Sequence, residues 1–202
     1  MSVYKFLPRT AMAICIAVTV SVAGVLGADS AFAANSSTSK FEPNQVVQGT
    51  TLQLNGAGTR FRVVFKIYDL ALYTPRKVST PEELLALPGP KRLNFVALRE
   101  APGTDLGLAF IKGLSANSPA ELVTKHASSN TRLIEIFSGR SKLMPGDSFA
   151  MEYLPGKGTT FYIAGQPQGA PVGDAEFFNM VLKIWVGTSP ADFKLKDALL
   201  GQ

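Results

Sequence analysis

The stretch LNGAGTRFRVVFKIYDLALY, residues 54–73, decides the fold, because most of it has the composition of a long β-strand. Aromatic and β-branched residues dominate its second half, and these residue types favour strands. We predict one strand over residues 61–73 with Phe61, Val63, Phe65 and Ile67 on the core face. A separate strand is predicted over residues 46–54, with an interruption at the glycines of residues 56–58.

Positive charges alternate with the apolar residues of this stretch. Arg60, Arg62 and Lys66 share a strand face with Tyr68, and Asp69 then lies where a core residue is expected. The apolar phase therefore changes near Tyr68, as it does at a β-bulge, which adds one residue and redirects the side chains that follow. Two interpretations remain open: a solvated face, whose cations discourage aggregation, or a cationic pocket that binds a carboxylate or an oxyanion.

The rest of the chain predicts an α+β fold. Strands are indicated over residues 91–98, 148–154 and 159–163, and the sequence PGKG between the last two predicts a hairpin. Helices are indicated by apolar spacing over residues 106–114 and 133–137, and by capping patterns at Ser118, Asp174 and Ser189. Because strands do not alternate with crossover helices, we predict a large antiparallel sheet with helices packed on one face.

The N-terminus predicts export. Lys5 and Arg9 precede an uncharged apolar run over residues 11–26, and Ala31-Phe32-Ala33 is a cleavage signature, so we predict a signal peptide over residues 1–33. The alternative, a membrane anchor, is disfavoured because the run falls short of the roughly 20 residues that span a bilayer. A polar, flexible lead-in follows over residues 34–44, and one domain covers residues 45–202. The expected location is the periplasm or the medium.

Composition excludes several kinds of site. Cleavage would remove two cations and one acid, so the net charge would fall from +5 to +4, and the absence of a long cationic run disfavours nucleic acid as a partner. The only cysteine, Cys15, would leave with the signal peptide, and His126 is the only histidine. A thiol- or histidine-rich metal site is therefore not expected, and no cofactor is predicted. The oligomeric state is left open.

Three segments together resemble the chalcone isomerase family. The first is the Gly-Ala-Gly-x-Arg pattern that ends at Arg60 and is followed by a strand with Tyr68. Residues 143–169 are similar to the family's hairpin, and residues 175–201 are similar to its closing helix pair. The resemblance is strongest with its exported bacterial branch. It implies an antiparallel sheet covered on one face by helices, with a ligand cleft between the two layers.

The resemblance also implies two kinds of activity. Isomerases of the family close a chalcone to a flavanone by intramolecular addition, and their strand arginine attracts the substrate and the developing enolate. Other members bind fatty acids, and an arginine and a tyrosine hold the carboxylate. Arg60 matches the family arginine, with Arg62 as a substitute if the register differs, and Tyr68 is more similar to the fatty-acid binders. The segment of residues 97–117 has no tyrosine where the isomerases carry a catalytic one.

We therefore expect an exported, non-catalytic binder of a fatty acid or similar apolar carboxylate. Arg60 and Tyr68 would hold the acidic head, while Phe65, Phe177 and Val181 would line the apolar part of the cleft. The first alternative is an isomerase, an intramolecular lyase acting on a phenolic enone, in which Arg60 and Tyr68 would be catalytic. The second is a structural protein in which packed side chains fill the cleft.

Overall fold

A computed structural model describes residues 37–202. The predicted signal peptide and the first three residues of the lead-in lie outside the described residues. The strands are β1 (Asn44–Val47), β2 (Thr50–Arg62), β3 (Phe65–Thr74), β4 (Lys91–Ala97), β5 (Ala101–Pro102), β6 (Lys142–Leu143), β7 (Ser148–Leu154), β8 (Gly158–Ile163) and β9 (Gln166–Pro167). The helices are α1 (Pro81–Ala86), α2 (Gly103–Asn117), α3 (Ala120–Lys125), α4 (Ala127–Ser138), α5 (Ala175–Val186) and α6 (Phe193–Leu199).

Seven of the strands form one antiparallel sheet in the order β1-β2-β3-β4-β7-β8-β9, and β5 pairs with β6 separately. Helix α1 lies in the chain between β3 and β4, and helices α2, α3 and α4 lie between β5 and β6. Helices α5 and α6 follow the last strand. This arrangement confirms the predicted α+β class and the antiparallel sheet. No helix in residues 37–202 is both long and apolar enough to cross a bilayer.

The stretch of residues 54–73 is a β-hairpin, so the prediction of a single strand over residues 61–73 is wrong. Strand β2 runs to Arg62, the chain turns at Val63 and Val64, and β3 returns from Phe65. Two valines are a poor signal for a turn because the common two-residue loops use asparagine and glycine. The turn also removes Val63 and Phe65 from the core, and both are exposed.

The change of apolar phase at Tyr68 is confirmed. Arg60 pairs with Tyr68 while Phe61 pairs with Lys66, so Ile67 is an extra residue on β3 and forms a bulge. Beyond it, Tyr68, Leu70 and Leu72 face the core under the helices. Asp69 points to the opposite face and is nevertheless buried, because its carboxylate accepts hydrogen bonds from the Ser39 amide and the Thr59 hydroxyl.

The glycines of residues 56–58 continue β2, so the predicted interruption there is wrong. Gly56 meets the last turn of α6, and a Cβ at this position would overlap the carbonyl oxygen of Ala198. Next to it, the Asn55 side chain donates to the carbonyl oxygens of Val78 and Leu199, at 3.0 and 2.7 Å. The glycine pattern therefore permits close packing of a helix on a strand.

The main core lies between the sheet and the helices. It consists of alternate residues of the central strands and the buried faces of the helices, α5 above all, including Leu93, Phe95, Phe149, Met151, Phe177, Val181 and Trp185. The opposite face of the sheet carries a smaller apolar cluster around Leu52 and Tyr73, partly covered by Phe41 from the lead-in. Helices thus pack on one face, as predicted.

The predicted turn and helix caps are confirmed at some ends of strands and helices and wrong at others. The hairpin at PGKG is confirmed by the pairing of β7 with β8, and Asp174 caps α5 by accepting from the Phe177 amide at 2.9 Å. The predicted cap at Ser118 is wrong because α3 begins after Pro119 without a side-chain cap. Asp192, not Ser189, caps α6.

Candidate functional site

Arg60 and Tyr68 lie side by side on the helix-covered side of the sheet. The two residues are direct partners in the pairing of β2 with β3, and the guanidinium carbon of Arg60 lies 5.6 Å from the centre of the Tyr68 ring. The bulge at Ile67 sets this geometry, since it turns Tyr68 into the core just before the hairpin ends. Two candidate residues chosen from the sequence are therefore brought together.

The hydroxyl of Tyr68 is held by a buried hydrogen bond. The indole nitrogen of Trp185 on α5 donates to the Tyr68 oxygen at 2.7 Å, and Phe95 packs edge-on against the Tyr68 ring at 5.5 Å. Burial raises the pKa of Tyr68, and the positive charge of Arg60 and the hydrogen bond from Trp185 offset part of this increase. The phenol is therefore neutral at physiological pH and keeps its own proton available to donate.

Arg60 is a half-buried cation without a carboxylate partner in residues 37–202. Its Nε is buried and makes no hydrogen bond in the described part of the chain. Asp192 lies close enough to raise the pKa of Tyr68, but its carboxylate accepts from the backbone amides of Phe61, Lys194 and Leu195. A buried guanidinium donor that lacks a partner is costly, and an anion would satisfy it.

An aromatic cluster adjoins the Arg60–Tyr68 pair. Phe95 stacks on Phe149 at 4.0 Å and contacts Trp185 at 5.2 Å, and Phe110 from α2 contacts Trp185 at 5.7 Å. None of these four residues was selected from the sequence. Trp185 could have been found, because it lies four positions after Val181 on the same helical stripe.

The remaining candidates divide into buried and exposed residues. Phe177 and Val181 are fully buried on the α5 stripe that leads to Trp185, so they belong to the packed core. Arg62 and Phe65 lie at the hairpin turn and are exposed, and Phe65 packs against the guanidinium of Arg99 at 4.3 Å. The structure therefore does not bring Phe65 or Arg62 to the aromatic cluster.

Two surface cavities of about 300 and 220 Å³ lie elsewhere in the described residues. The larger is lined by Arg132, Arg140 and their neighbours at the end of α4. The lining of the smaller includes Phe41, Arg92 and Tyr162, together with Phe95 and Phe149 of the central strands. Neither is lined by Arg60 or Tyr68, and Phe95 packs edge-on against the Tyr68 ring at 5.5 Å.

The segment of residues 97–117, in which the isomerases carry a tyrosine, forms the short strand β5 and helix α2. The side chain that it contributes to the cluster is Phe110, which stacks on Phe137 at 4.8 Å as well as contacting Trp185. A phenylalanine can neither donate a hydrogen bond nor transfer a proton. The site therefore offers one cation and one neutral phenol, which suit the binding of an anion.

Comparisons with known proteins agree with this architecture. A family model described as chalcone isomerase-like matches residues 33–201. Among solved structures, a fatty-acid binding protein from Arabidopsis thaliana matches with a TM-score of 0.59 and 12% sequence identity. The match covers 78% of this chain and 95% of the plant protein. At this identity the likeness concerns the fold. No curated protein sequence matches the chain.

Proposed function

Because this chain belongs to the chalcone isomerase-like family, we propose that it binds a fatty acid or a similar apolar carboxylate without catalysing a reaction. The observation that carries the proposal is the pair of Arg60 and Tyr68, a half-buried cation with an unpartnered Nε beside a neutral phenol. The similarity to a fatty-acid binding protein concerns its fold and is consistent with this function.

The head of the ligand would be held by two donors of different kinds. The guanidinium of Arg60 offers a planar set of N–H groups that matches a carboxylate. Tyr68 accepts from Trp185 and can at the same time donate its own proton to the ligand. Each charge-assisted hydrogen bond contributes about 1.5–3 kcal/mol in a buried site.

The tail would lie against the aromatic cluster of Phe95, Phe110, Phe149 and Trp185. These rings belong to the sheet and to two different helices, α2 and α5, so a small separation of the helices from the sheet would open space between them. Apolar contact with rings is favourable in proportion to the area removed from water, about 25 cal/mol for each Å². Phe177 and Val181 would extend this lining.

The alternative, an isomerase acting on a phenolic enone, would use the same pair. Arg60 would stabilise the developing enolate, and Tyr68 would donate to the ketone oxygen. The absence of a tyrosine from residues 97–117 speaks against it, because a missing donor at such a site costs about 10²–10³ in rate. The two functions differ in whether a bound enone is converted.

The binding proposal is tested by calorimetry with fatty acids of increasing chain length, together with mass spectrometry of ligands released from the denatured protein. Arg60→Ala should weaken binding at least about tenfold, the equivalent of about 1.4 kcal/mol. The matched control is Arg76→Ala, an exposed arginine in the loop after β3. Equal affinity in both variants, or no fatty-acid binding at all, would contradict the proposal. Turnover of a chalcone that is lost in Arg60→Ala would establish the isomerase.

We further propose that the protein is exported to the periplasm or the medium. The proposal depends on the basic start, the apolar run and the Ala31-Phe32-Ala33 signature. Sequencing the N-terminus of the protein recovered from its host is the test. A chain that begins at Ala34 supports export, and a chain that begins at Met1 or Ser2 contradicts it.

A further inference from the structure

We propose that the tip of the β2–β3 hairpin, residues 62–66, binds the surface of an anionic lipid bilayer. This hairpin tip consists of Arg62, Val63, Val64, Phe65 and Lys66, and it is distinct from the Arg60–Tyr68 pair. The proposal does not depend on what that pair binds.

The hairpin tip carries three consecutive exposed apolar side chains. Val63 is 89% exposed, Val64 75% and Phe65 53%. The other large apolar residues that are exposed in residues 37–202 lie one at a time on different elements, and single exposed residues are normal. A run of three is disfavoured in a soluble protein unless a contact requires it.

The backbone at the turn is disfavoured as well. Val63 has a φ of 58°, in the left-handed region that β-branched residues avoid. A two-residue hairpin loop is ordinarily built from glycine, asparagine or aspartate, which tolerate a positive φ and expose no large apolar side chain. Val63 is therefore unfavourable both for the turn and for solubility, which indicates that its apolar side chain has a use.

Cations surround the apolar residues. Arg62 and Lys66 flank them and are exposed, and Arg99 lies with its guanidinium carbon 4.3 Å from the Phe65 ring. None of these three cations forms an ion pair within residues 37–202, although the Lys66 ammonium donates to the Thr38 hydroxyl at 3.0 Å. Apolar residues that enter the acyl boundary, surrounded by cations at the level of the phosphates, are the pattern of interfacial membrane binding.

The size of the surface favours a bilayer over a protein. A specific protein interface buries about 800 Å² on each partner, which is more than three side chains at a turn provide. Asp192 accepts from the amide of Phe61, next to the hairpin tip, at 2.9 Å, and the residue that follows it, Phe193, is 65% exposed. A bilayer has no shape to match and accepts a small protruding tip.

The test uses the full chain with Cys15→Ser, so that a single cysteine can carry an environment-sensitive fluorophore. Val64→Cys places the probe at the hairpin tip. The matched control is Val46→Cys on strand β1, where the valine is 70% exposed and pairs with Thr51 near the start of β2, the end of β2 away from the tip. We expect vesicles containing phosphatidylglycerol to shift the emission of the tip probe to the blue. A lipid-borne quencher should reduce that emission, while the control probe should not respond. The local readout separates the hairpin tip from any tethering by the N-terminal segment.

Two further variants test the charges and the turn. Arg62→Gln with Lys66→Gln should weaken the response roughly 10- to 30-fold, because each cation near an anionic surface contributes about a fivefold factor. Val63→Gly with Val64→Asn should abolish the response while the protein keeps or raises its melting temperature, since glycine accepts a positive φ. An equal response of both probes, a response to phosphatidylcholine alone as strong as to the anionic vesicles, or no response to either would overturn the proposal.

Discussion

Tyr68→Phe tests the buried hydrogen bond that links the sheet to α5. The substitution keeps the ring that packs on Phe95 and removes only the oxygen, which accepts from the Trp185 indole at 2.7 Å. The indole N–H is then left without its acceptor in a buried position, and such a loss costs about 1–3 kcal/mol of the free energy of unfolding. For a domain of this size, each kcal/mol lowers the melting temperature by about 2–4 °C.

The measurement is urea denaturation followed by circular dichroism, with the midpoint compared at an unchanged slope. Tyr162→Phe is the control, because its hydroxyl makes only a 3.4 Å contact with Glu152 on the opposite face of the sheet, and we expect less than about 1 kcal/mol. Trp185→Phe and the double variant complete a cycle, in which a coupling of about 1–2 kcal/mol is expected. A Tyr68→Phe protein as stable as the parent, or a coupling near zero, would refute the buried hydrogen bond and with it the donor geometry proposed for Tyr68.

Further substitutions give distinct expectations. Gly56→Ala should unfold or strongly destabilise the protein, because its Cβ would overlap the Ala198 carbonyl. The control is Gly107→Ala in α2, whose Cβ would make ordinary contacts with Ile134 of α4 and should be neutral or stabilising. Thermal melts compare the two variants directly. Asp69→Ala should lower the free energy of unfolding by about 1–3 kcal/mol, because the Ser39 amide and the Thr59 hydroxyl lose their buried acceptor. An unchanged midpoint of urea denaturation would contradict this. Burial lowers the pKa of Lys91 to about 8, so the unfolded chain binds more protons between pH 8 and 10 and stability should rise with pH in that window. Lys91→Met should remove this rise in the free energy of unfolding, which urea denaturation between pH 8 and 10 measures. The same dependence on pH in the parent and in the variant would contradict the expectation.

Much of the fold follows from local signals in the sequence. The hairpin at PGKG and the cap at Asp174 are confirmed, because each depends on residues that are neighbours in the chain. The coarse order of strands, helices, a hairpin and closing helices also holds, but helix α1 between β3 and β4 was not predicted. The strand predicted over residues 46–54 is wrong, because a turn at residues 48–49 divides it between β1 and β2. The change of phase at Tyr68 was also readable, since alternation along a strand records which side faces the core. Errors arose where a local signal was missing or misleading, as at Val63 and Val64, where the turn lacks the usual turn residues.

The glycines of residues 56–58 show the same limit from the other side. Glycine in a strand pattern signals either a break or a close approach of another backbone. The sequence cannot distinguish them, because the approaching backbone belongs to α6, more than a hundred residues later in the chain. Only the packed structure shows that β2 continues through these glycines.

The sequence by itself determined the α+β class, and its family resemblance pointed to Arg60 and Tyr68 as the residues of a site. The tertiary structure decided that the two residues are partners across one hairpin, and that Trp185, 117 residues from Tyr68, holds its hydroxyl. It also decided that Phe65 faces solvent beside Arg99, while Phe177 and Val181 lie in the core. The physical reason is that periodicity reports only which face of an element is apolar. What that face contacts depends on how distant elements pack against each other.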